Sequence, residues 1–368
     1  MKSFEYADEE IDYNQIRILI PSVLIGAGIL SLPRILAETT NYADGWISIL
    51  AGGFLAVTFT WVVATLASRF PKQSFFGYSS LLLSKPVAYI ITIFIALYFL
   101  VFTAYEIRSV ATLSKEYLFD ATPIEVLSLV FLLVVIYAVS GSRVALFRLN
   151  QLFLPIIIGA LVVILLISIP LLKTENLVPL FKTSWSGHLQ GIKSTFLSFM
   201  GWGILLFYIS LMNQPKRASK AAVSGIFVPI IIYLLIYITS IGVFSNIMTS
   251  NITYPTNELA KVIEVPGGFL ESLEIVFFTV WVMALFTTTM IFFDITVMAL
   301  NSLLKKTKKK TLILILAPII YLVSMLPQDN LDINKLSDAL GYTGLIVSVV
   351  IPTTLLLLAK FKGVKGNG

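Results

Sequence analysis

Long apolar runs separated by short polar segments are the dominant pattern along the chain. Ten of these runs are about as long as the roughly 20 apolar residues that a helix needs to cross a bilayer core. They lie near 17–37, 45–68, 86–114, 123–140, 149–172, 194–212, 221–245, 271–300, 311–327 and 342–359. The runs lack period-two alternation and are too long for the strands of a membrane β-barrel. The pattern therefore predicts an all-α membrane protein with ten transmembrane helices and no soluble domain.

Composition supports this prediction. Hydrophobic residues make up 57% of the chain and charged residues 12%, and the mean hydropathy is +0.92. Soluble domains carry about 25% charged residues. The remaining charge has a sided distribution: eighteen Lys and Arg fall in the segments assigned to one side and seven in those assigned to the other. Because basic residues concentrate on the cytoplasmic side of membranes, we expect both termini in the cytoplasm.

The same topology predicts how the chain is organised. Residues 1–16 form a cytoplasmic N-terminal segment, 17–360 a single transmembrane domain, and 361–368 a cytoplasmic tail. The domain divides into two repeats of five spans, about 17–172 and 194–360. The basic run "KKTKKK" at 305–310 fits a topology anchor between spans eight and nine better than a nucleic-acid patch.

Several function classes are excluded. The chain has no cysteine, which removes disulfides, thiolate metal sites and cysteine nucleophiles. His188 is its only histidine, and one histidine cannot build a metal site or a hydrolase triad. We find no paired carboxylates in a soluble cleft, so we expect no enzyme activity, no metal and no cofactor.

Matched glycine pairs interrupt the first span of each repeat. Span one contains Gly26-Ala27-Gly28, and span six contains Gly201-Trp202-Gly203. Corresponding interruptions in two halves indicate an inverted-repeat transporter with discontinuous helices, and we favour that interpretation. The alternative is close helix packing, which small residues also permit.

Two broken helices offer a site for a zwitterionic ligand. The N-terminal end of a half-helix presents free N–H groups that suit a carboxylate, and the C-terminal end presents carbonyls that suit an ammonium. We therefore predict that an amino acid binds at mid-membrane, against both breaks and nearby aromatic residues. The predicted ligand-binding residues are Gly26, Ala27, Gly28, Ile29, Phe102, Phe199, Gly201, Trp202 and Gly203.

Other polar residues inside the spans are further candidates. Arg34 and Glu106 are predicted to approach each other as an outer gate, because they share a depth and have opposite charges. Thr287, Thr288 and Thr289 lie midway along span eight and form a candidate sodium site. We favour the alternative that these hydroxyls bond within the helix bundle. Asp294 is interpreted as a charge near the inner helix end.

The first break carries a family resemblance. "GAGILSLPRIL" (26–36) is similar to the first helix of the amino acid–polyamine–organocation permeases. "SRFPKQSFFGYSSLLL" (68–83) and "GSRVALFRLNQLFLPIII" (141–158) resemble the spore germination permease family, with Arg148 and Pro155 where that family has an arginine and a proline. The length and the ten-span layout agree over nearly the whole chain.

The resemblance implies a LeuT-like bundle of five plus five helices in the spore inner membrane. It also implies that the chain senses amino acids or similar nutrients, as the B subunit of a receptor with an A subunit and a C-subunit lipoprotein. The alternative is an ion-coupled amino-acid permease with the same fold. Some proton-coupled relatives place a lysine in span five, but nothing ionisable lies between Arg148 and Lys173.

Overall fold

A computed structural model describes residues 10–26, 28–262, 273–304 and 306–364. Within these ranges the chain is helical, and its only β-type pairing is a bridge between Ile11 and Met212. The helices are α1 Tyr13–Leu24, α2 Gly28–Thr39, α3 Gly45–Ser68, α4 Phe75–Leu82, α5 Lys85–Tyr117, α6 Ile124–Ser140, α7 Arg143–Ser168, α8 Trp185–Ser198, α9 Leu205–Tyr208, α10 Ala218–Phe244, α11 Asn246–Asn251, α12 Pro255–Val262, α13 Leu273–Leu303, α14 Lys309–Ser324, α15 Asn330–Leu345 and α16 Ile351–Phe361.

Ten helical segments of the described chain coincide with the ten predicted spans. Six are single helices long and apolar enough to cross a membrane: α3, α5, α7, α10, α13 and the segment 330–361. Two more are bent pairs, since α2 turns from α1 by 53° and the segment 202–211 turns from α8 by 40°. The remaining two, α6 and α14, have 17 and 16 residues. The predicted breaks in spans one and six are confirmed.

Side-chain caps set where several helices begin. Asp12 accepts a hydrogen bond from the Gln15 amide (2.8 Å), and the Gln15 side chain accepts one from the Asp12 amide (2.9 Å). This capping box satisfies backbone donors that a helix start leaves unpaired. It places the start of α1 at Tyr13, inside the segment predicted to precede the membrane domain. Ser142 and Ser184 cap α7 and α8 by accepting hydrogen bonds from the amides of Ala145 and Gly187.

Span six begins earlier than the sequence predicts. The apolar run predicts that this span begins near residue 194, but α8 starts at Trp185. The sequence does not indicate a helix here, because Gly187 and Gly191 lie inside it and glycine disfavours helix interiors. Both are needed for packing: a Cβ on Gly191 would lie 2.5 Å from Ser48 Oγ, and one on Gly187 would collide with the Thr39 carbonyl oxygen. The glycines let α8 lie directly against α2 and α3.

Span ten is also longer than predicted, because the helix starts at Asn330 rather than near 342. The first turns of this helix carry polar residues, so the apolar run begins later than the helix does. Asp329 caps the start of the helix by accepting a hydrogen bond from the Asp332 amide (2.9 Å). A π-helical stretch, Ile346–Val350, joins α15 to α16. The short helices α4 and α12 lie outside the ten predicted spans.

The broken helices are surrounded by long intact ones. α13 packs most extensively on α5, and α10 packs on both α3 and α1. α8 packs on α2 and α3, so the two discontinuous spans share neighbours. This arrangement buries both breaks in the middle of the helix bundle.

Candidate functional site

The two breaks lie against each other. A Cβ on Gly28 would lie 3.1 Å from the Ser198 carbonyl oxygen, at the end of α8. A Cβ on Gly201 would lie 2.9 Å from Leu24 Cδ2, at the end of α1. A side chain at either glycine would crowd the other broken span, so glycine permits the close approach at both positions. The predicted adjacency is confirmed, while Ala27 lies outside the described residues.

Polar side chains from neighbouring helices reach the backbone of the first break. The Tyr233 hydroxyl donates to the Leu24 carbonyl (2.9 Å), and a Cβ on Gly28 would lie 2.8 Å from the same hydroxyl. Thr256 donates to the Ile29 carbonyl (2.7 Å). The Leu24 carbonyl lies at the C-terminal end of α1, where a helix leaves carbonyls unpaired. The Ile29 carbonyl lacks its helical donor because Pro33, four residues on, has no N–H. No sequence signal pointed to Tyr233 or Thr256, because neither lies near the break along the chain.

Aromatic rings close the site. The ring centroid of Phe199 lies 4.9 Å from that of Tyr233, and the ring centroid of Trp202 lies 5.5 Å from that of Phe196. Phe199 and Trp202 are fully buried, and Ile29 is 1% exposed. The residues around the two breaks are therefore packed closed in this structure.

Span ten contributes a contact that the sequence did not reveal. Trp202 Nε1 donates to the Ser348 carbonyl (3.0 Å), and a Cβ on Gly203 would lie 2.7 Å from Ser348 Oγ. Ser348 belongs to the π-helical stretch, where the wider turn changes the helical hydrogen bonding and frees backbone groups. The break in span six thus packs on an irregular turn of span ten.

Phe102 belongs to a neighbouring aromatic cluster. Its ring centroid lies 4.6 Å from Phe292, 5.7 Å from Tyr98 and 5.8 Å from Tyr105. Neither Phe199 nor Trp202 is among its ring partners within the described chain. The cluster joins α5 to α13, beside the breaks rather than between them.

Glu106 is a buried carboxyl group without a partner among the described residues. It is 2% exposed, forms no ion pair with them, and its Oε2 has no hydrogen-bond partner there. An unpaired carboxylate in an apolar bundle is costly, and such residues mark functional sites in membrane proteins. Glu106 lies one turn along α5 from Phe102, on the helix that packs most extensively against α13.

The predicted pairing of Arg34 with Glu106 is replaced by another. Arg34 Nη1 lies 2.6 Å from Glu38 Oε1, one turn along α2, and no ion pair joins Arg34 to Glu106 in the described residues. Residues four apart on one helix are neighbours, so the local pair forms without any rearrangement. Arg34 is partly exposed at the outer end of the site, whereas Glu106 is buried.

The three threonines of span eight differ in their contacts. Thr287 and Thr289 donate to carbonyls of their own helix at 2.7 and 2.6 Å. Thr288 Oγ1 lies 3.2 Å from such a carbonyl and also 3.4 Å from the Ser22 carbonyl in α1. A Cβ on Gly26 would lie 3.4 Å from Thr288 Oγ1. Of the three candidates, only Thr288 is brought to the broken helix.

A buried ionic cluster lies on the basic side of the bundle. Asp294 is fully buried rather than interfacial, which corrects the interpretation from the sequence. Its Oδ2 lies 3.2 Å from Arg143 Nε and accepts from the Tyr208 hydroxyl (2.9 Å), and its Oδ1 lies 3.5 Å from Lys309 Nζ. The cluster ties the last turn of the broken span six to α7, α13 and α14. The sequence could not reveal it, because these four residues are far apart along the chain.

A carboxylate also fixes the loops on the opposite side. Asp44 is buried and accepts hydrogen bonds from the backbone amides of Phe181 (2.6 Å), Lys182 (2.6 Å) and Thr183 (2.8 Å). Burial opposes ionisation of the group, but the hydrogen bonds from these amides outweigh it and lower the pKa of Asp44. The loop before α3 is thereby joined to the loop before α8.

Comparison with solved structures shows the same fold. The crystal structure of MhsT in complex with L-phenylalanine superposes with a TM-score of 0.69 at 16% identity, over 95% of this chain and 89% of MhsT. The structure of Mhp1, a nucleobase-cation-symport-1 family transporter in a closed conformation with bromovinylhydantoin bound, superposes with a TM-score of 0.67 at 15% identity, over 97% and 94% of the two chains. The LeuT-like fold is thus confirmed.

Sequence relatives identify the family. A family profile described as spore germination protein matches residues 10–333. The spore germination protein GerLB of Bacillus cereus is 42% identical over 100% of this chain and 99% of its own length. The spore germination protein YndE of Bacillus subtilis is 31% identical over 95% and 96% of the two chains. The chain therefore belongs to the spore germination permease family, and it is a germinant receptor or permease-like membrane protein rather than an enzyme.

Proposed function

We propose that this chain is the nutrient-sensing B subunit of a spore germination receptor and that it binds an amino acid between its two broken helices. The observation that carries the proposal is the buried carboxyl of Glu106 inside the helix bundle, which has no partner in the described part of the chain. A ligand ammonium gives this carboxylate a partner. The N-terminal end of α2, beginning at Gly28, faces the ligand carboxylate.

Sensing requires that binding change the structure. The site is closed, with Phe199 and Trp202 fully buried, so ligand entry must displace the broken helices. A movement of span six would also shift its last turn, where the Tyr208 hydroxyl donates a hydrogen bond to Asp294. A ligand favours the state that it binds better, so the binding free energy drives this displacement. Partner subunits that contact the basic side then detect the change.

The binding experiment uses the purified full chain and a panel of single amino acids, scored by thermal stabilisation. We expect one or more amino acids to stabilise the wild-type protein, and Glu106→Gln to abolish that shift. The corresponding 2-hydroxy acids, which lack the ammonium, should change the thermal stability of wild type and Glu106→Gln by the same amount. Glu125→Gln is the matched control, because Glu125 is exposed at the start of α6. Equal amino-acid affinity in Glu106→Gln and wild type would refute the proposed ammonium site.

The assembly and location follow from the family resemblance. The receptor contains an A subunit and a C-subunit lipoprotein and lies in the spore inner membrane, with both termini of this chain in the cytoplasm. Affinity purification of the tagged chain from spore membranes should recover both partners. Protease accessibility of terminal tags in inside-out and right-side-out vesicles tests the orientation. Recovery of the chain alone would count against the receptor assembly.

A second candidate function is ion-coupled amino-acid transport. The observation that favours it is the position of Thr288, whose hydroxyl lies 3.4 Å from the Ser22 carbonyl. These two oxygen atoms are candidate ligands for a cation beside the break. Sodium prefers such oxygen donors. Proteoliposomes supplied with labelled amino acid test the two functions: uptake that depends on a sodium gradient and is lost in Thr288→Val supports transport. Binding without uptake supports sensing.

A further inference from the structure

A groove on the membrane-facing surface is separate from the proposed ligand site. It lies between α1, α7 and α10, has a volume of about 300 Å³, and is lined by Asn14, Arg17, Ile18, Pro21, Leu154, Gly225 and Val228. We call it the α1–α7–α10 groove. Its volume falls at the lower end of the ~300–1,000 Å³ range of small-molecule sites.

The groove is polar at one end and apolar at the other. On α1 its four residues have the spacing i, i+3, i+4 and i+7, which places them on one helix face. Asn14 and Arg17 come first and form the polar end, and Ile18 and Pro21 continue it as the apolar end. Leu154 and Val228 complete the apolar end from the two neighbouring helices.

The shape of the groove depends on a close crossing of α1 and α10. A Cβ on Gly225 would lie 2.5 Å from the Arg17 carbonyl oxygen. That carbonyl lacks its usual helical donor, because Pro21 stands four residues on and has no N–H. The crossing thus sets Arg17 beside α10, in the first half of α1.

Arg17 is available to a ligand. Its side chain is exposed and forms no ion pair or hydrogen bond with the residues that the structure describes, and the same holds for Asn14. Asp12, the acidic residue nearest on α1, uses Oδ1 to accept from the Gln15 amide and is committed to the helix cap. Within the described chain, no carboxylate forms an ion pair with the polar end of the groove.

Neighbouring helix ends add positive charge at the same level. α1, α7 and α10 all begin on the basic side, so their first turns lie together at one membrane surface. Exposed basic residues precede the groove on the other two helices: Arg148 on α7, and Arg217 and Lys220 at the start of α10. Arg217 precedes Gly225 by eight residues and Val228 by eleven, so it lies on the same side of α10 as these two groove residues.

We propose that the α1–α7–α10 groove binds an anionic phospholipid, with the phosphate at its polar end and an acyl chain along its apolar end. An anion supplies the countercharge for Arg17, and a chain covers apolar surface that no described protein element covers. The order of polar and apolar residues along α1 matches the order of headgroup and chain from the membrane surface inward. The lipid site does not depend on the amino-acid site between the broken helices.

Native mass spectrometry of the purified full chain tests the proposal. Delipidated protein in detergent is titrated with phosphatidylglycerol, phosphatidylcholine or inorganic phosphate. We expect a single tight phosphatidylglycerol site, with phosphatidylcholine binding clearly weaker. Arg17→Gln should lower the phosphatidylglycerol affinity about fivefold, which corresponds to ~1 kcal/mol per basic residue at an anionic surface. Val228→Trp should lower it by filling the apolar end.

Lys85→Gln is the matched control, because Lys85 is an exposed basic residue at the start of α5, outside the groove. Loss of binding in Arg17→Gln and Val228→Trp, but not in Lys85→Gln, supports the proposal. Equal losses in Arg17→Gln and Lys85→Gln overturn it, since they show a general charge effect. Inorganic phosphate that competes as well as phosphatidylglycerol, or Val228→Trp binding like wild type, overturns the role of the acyl chain.

Discussion

Replacing Asp294 by asparagine removes the charge at the centre of the buried ionic cluster with little change in volume. In the wild-type protein Asp294 Oδ2 lies 3.2 Å from Arg143 Nε and 2.9 Å from the Tyr208 hydroxyl. The Asp294 side chain is fully buried, and the Arg143 side chain is only 9% exposed. Asp294→Asn therefore leaves a guanidinium inside the bundle without this carboxylate.

The expected cost is large. Removing one partner of a buried ion pair typically destabilises a protein by ~3–5 kcal/mol, mainly through the charge left behind. Asparagine retains one acceptor for Tyr208, so we expect the lower part of that range. The matched control is Asp332→Asn, because the Asp332–Lys335 pair is 40% and 66% exposed. Exposed pairs contribute ~0.2–1 kcal/mol.

Denaturant titration of the purified proteins in detergent measures both variants. We expect Asp294→Asn to lower the free energy of unfolding by at least ~2 kcal/mol more than Asp332→Asn. The double variant Asp294→Asn/Arg143→Gln should be more stable than the sum of the two single effects predicts, because the two side chains interact directly and their effects are coupled. If Asp294→Asn costs less than ~1 kcal/mol, or if the double variant is additive within ~0.5 kcal/mol, the cluster does not act as an ionic tie between these helices.

Three further predictions concern the breaks and the opposite surface. Gly28→Ala should lower amino-acid affinity tenfold or more, because its Cβ would lie 2.8 Å from the Tyr233 hydroxyl, whereas Gly159→Ala, with no atom within 4 Å, should bind normally. Asp44→Asn should lower the unfolding temperature at pH 7. Since the pKa of Asp44 is lowered below 3.8, its stabilisation is present above that pH and lost as the pH falls through the lowered value, so the two proteins should converge in acid. Trp202→Phe loses the 3.0 Å hydrogen bond to span ten and should cost ~1 kcal/mol; a stability equal to wild type would contradict this.

Part of the candidate site could be predicted and part could not. The Gly-x-Gly pairs indicated both breaks and their adjacency, because interruptions at matching positions in two repeats are typical of paired discontinuous helices. Tyr233, Thr256 and Ser348 were missed. Each reaches the breaks from a distant helix, and a hydroxyl in an apolar run carries no sign of what it contacts.

Charge pairing was the least predictable feature. The sequence suggested that Arg34 and Glu106 share a depth, but Arg34 pairs with Glu38 on its own helix. Asp294 was expected near water and is instead buried between two cations. Depth along a helix follows from counting residues, whereas the direction in which a side chain points depends on which helices surround it.

The sequence by itself predicted an all-helical membrane protein with about ten apolar spans, because only runs of apolar residues satisfy the bilayer core. It also determined which two spans are broken, since glycine pairs weaken a helix locally. Only the tertiary structure decided where α8 and α15 begin, because their glycines and polar residues are explained by packing and capping across helices. It also decided that, among the described residues, Glu106 is buried without a partner while Asp294 has several. Those outcomes depend on contacts between residues far apart in the chain, which local periodicity does not encode.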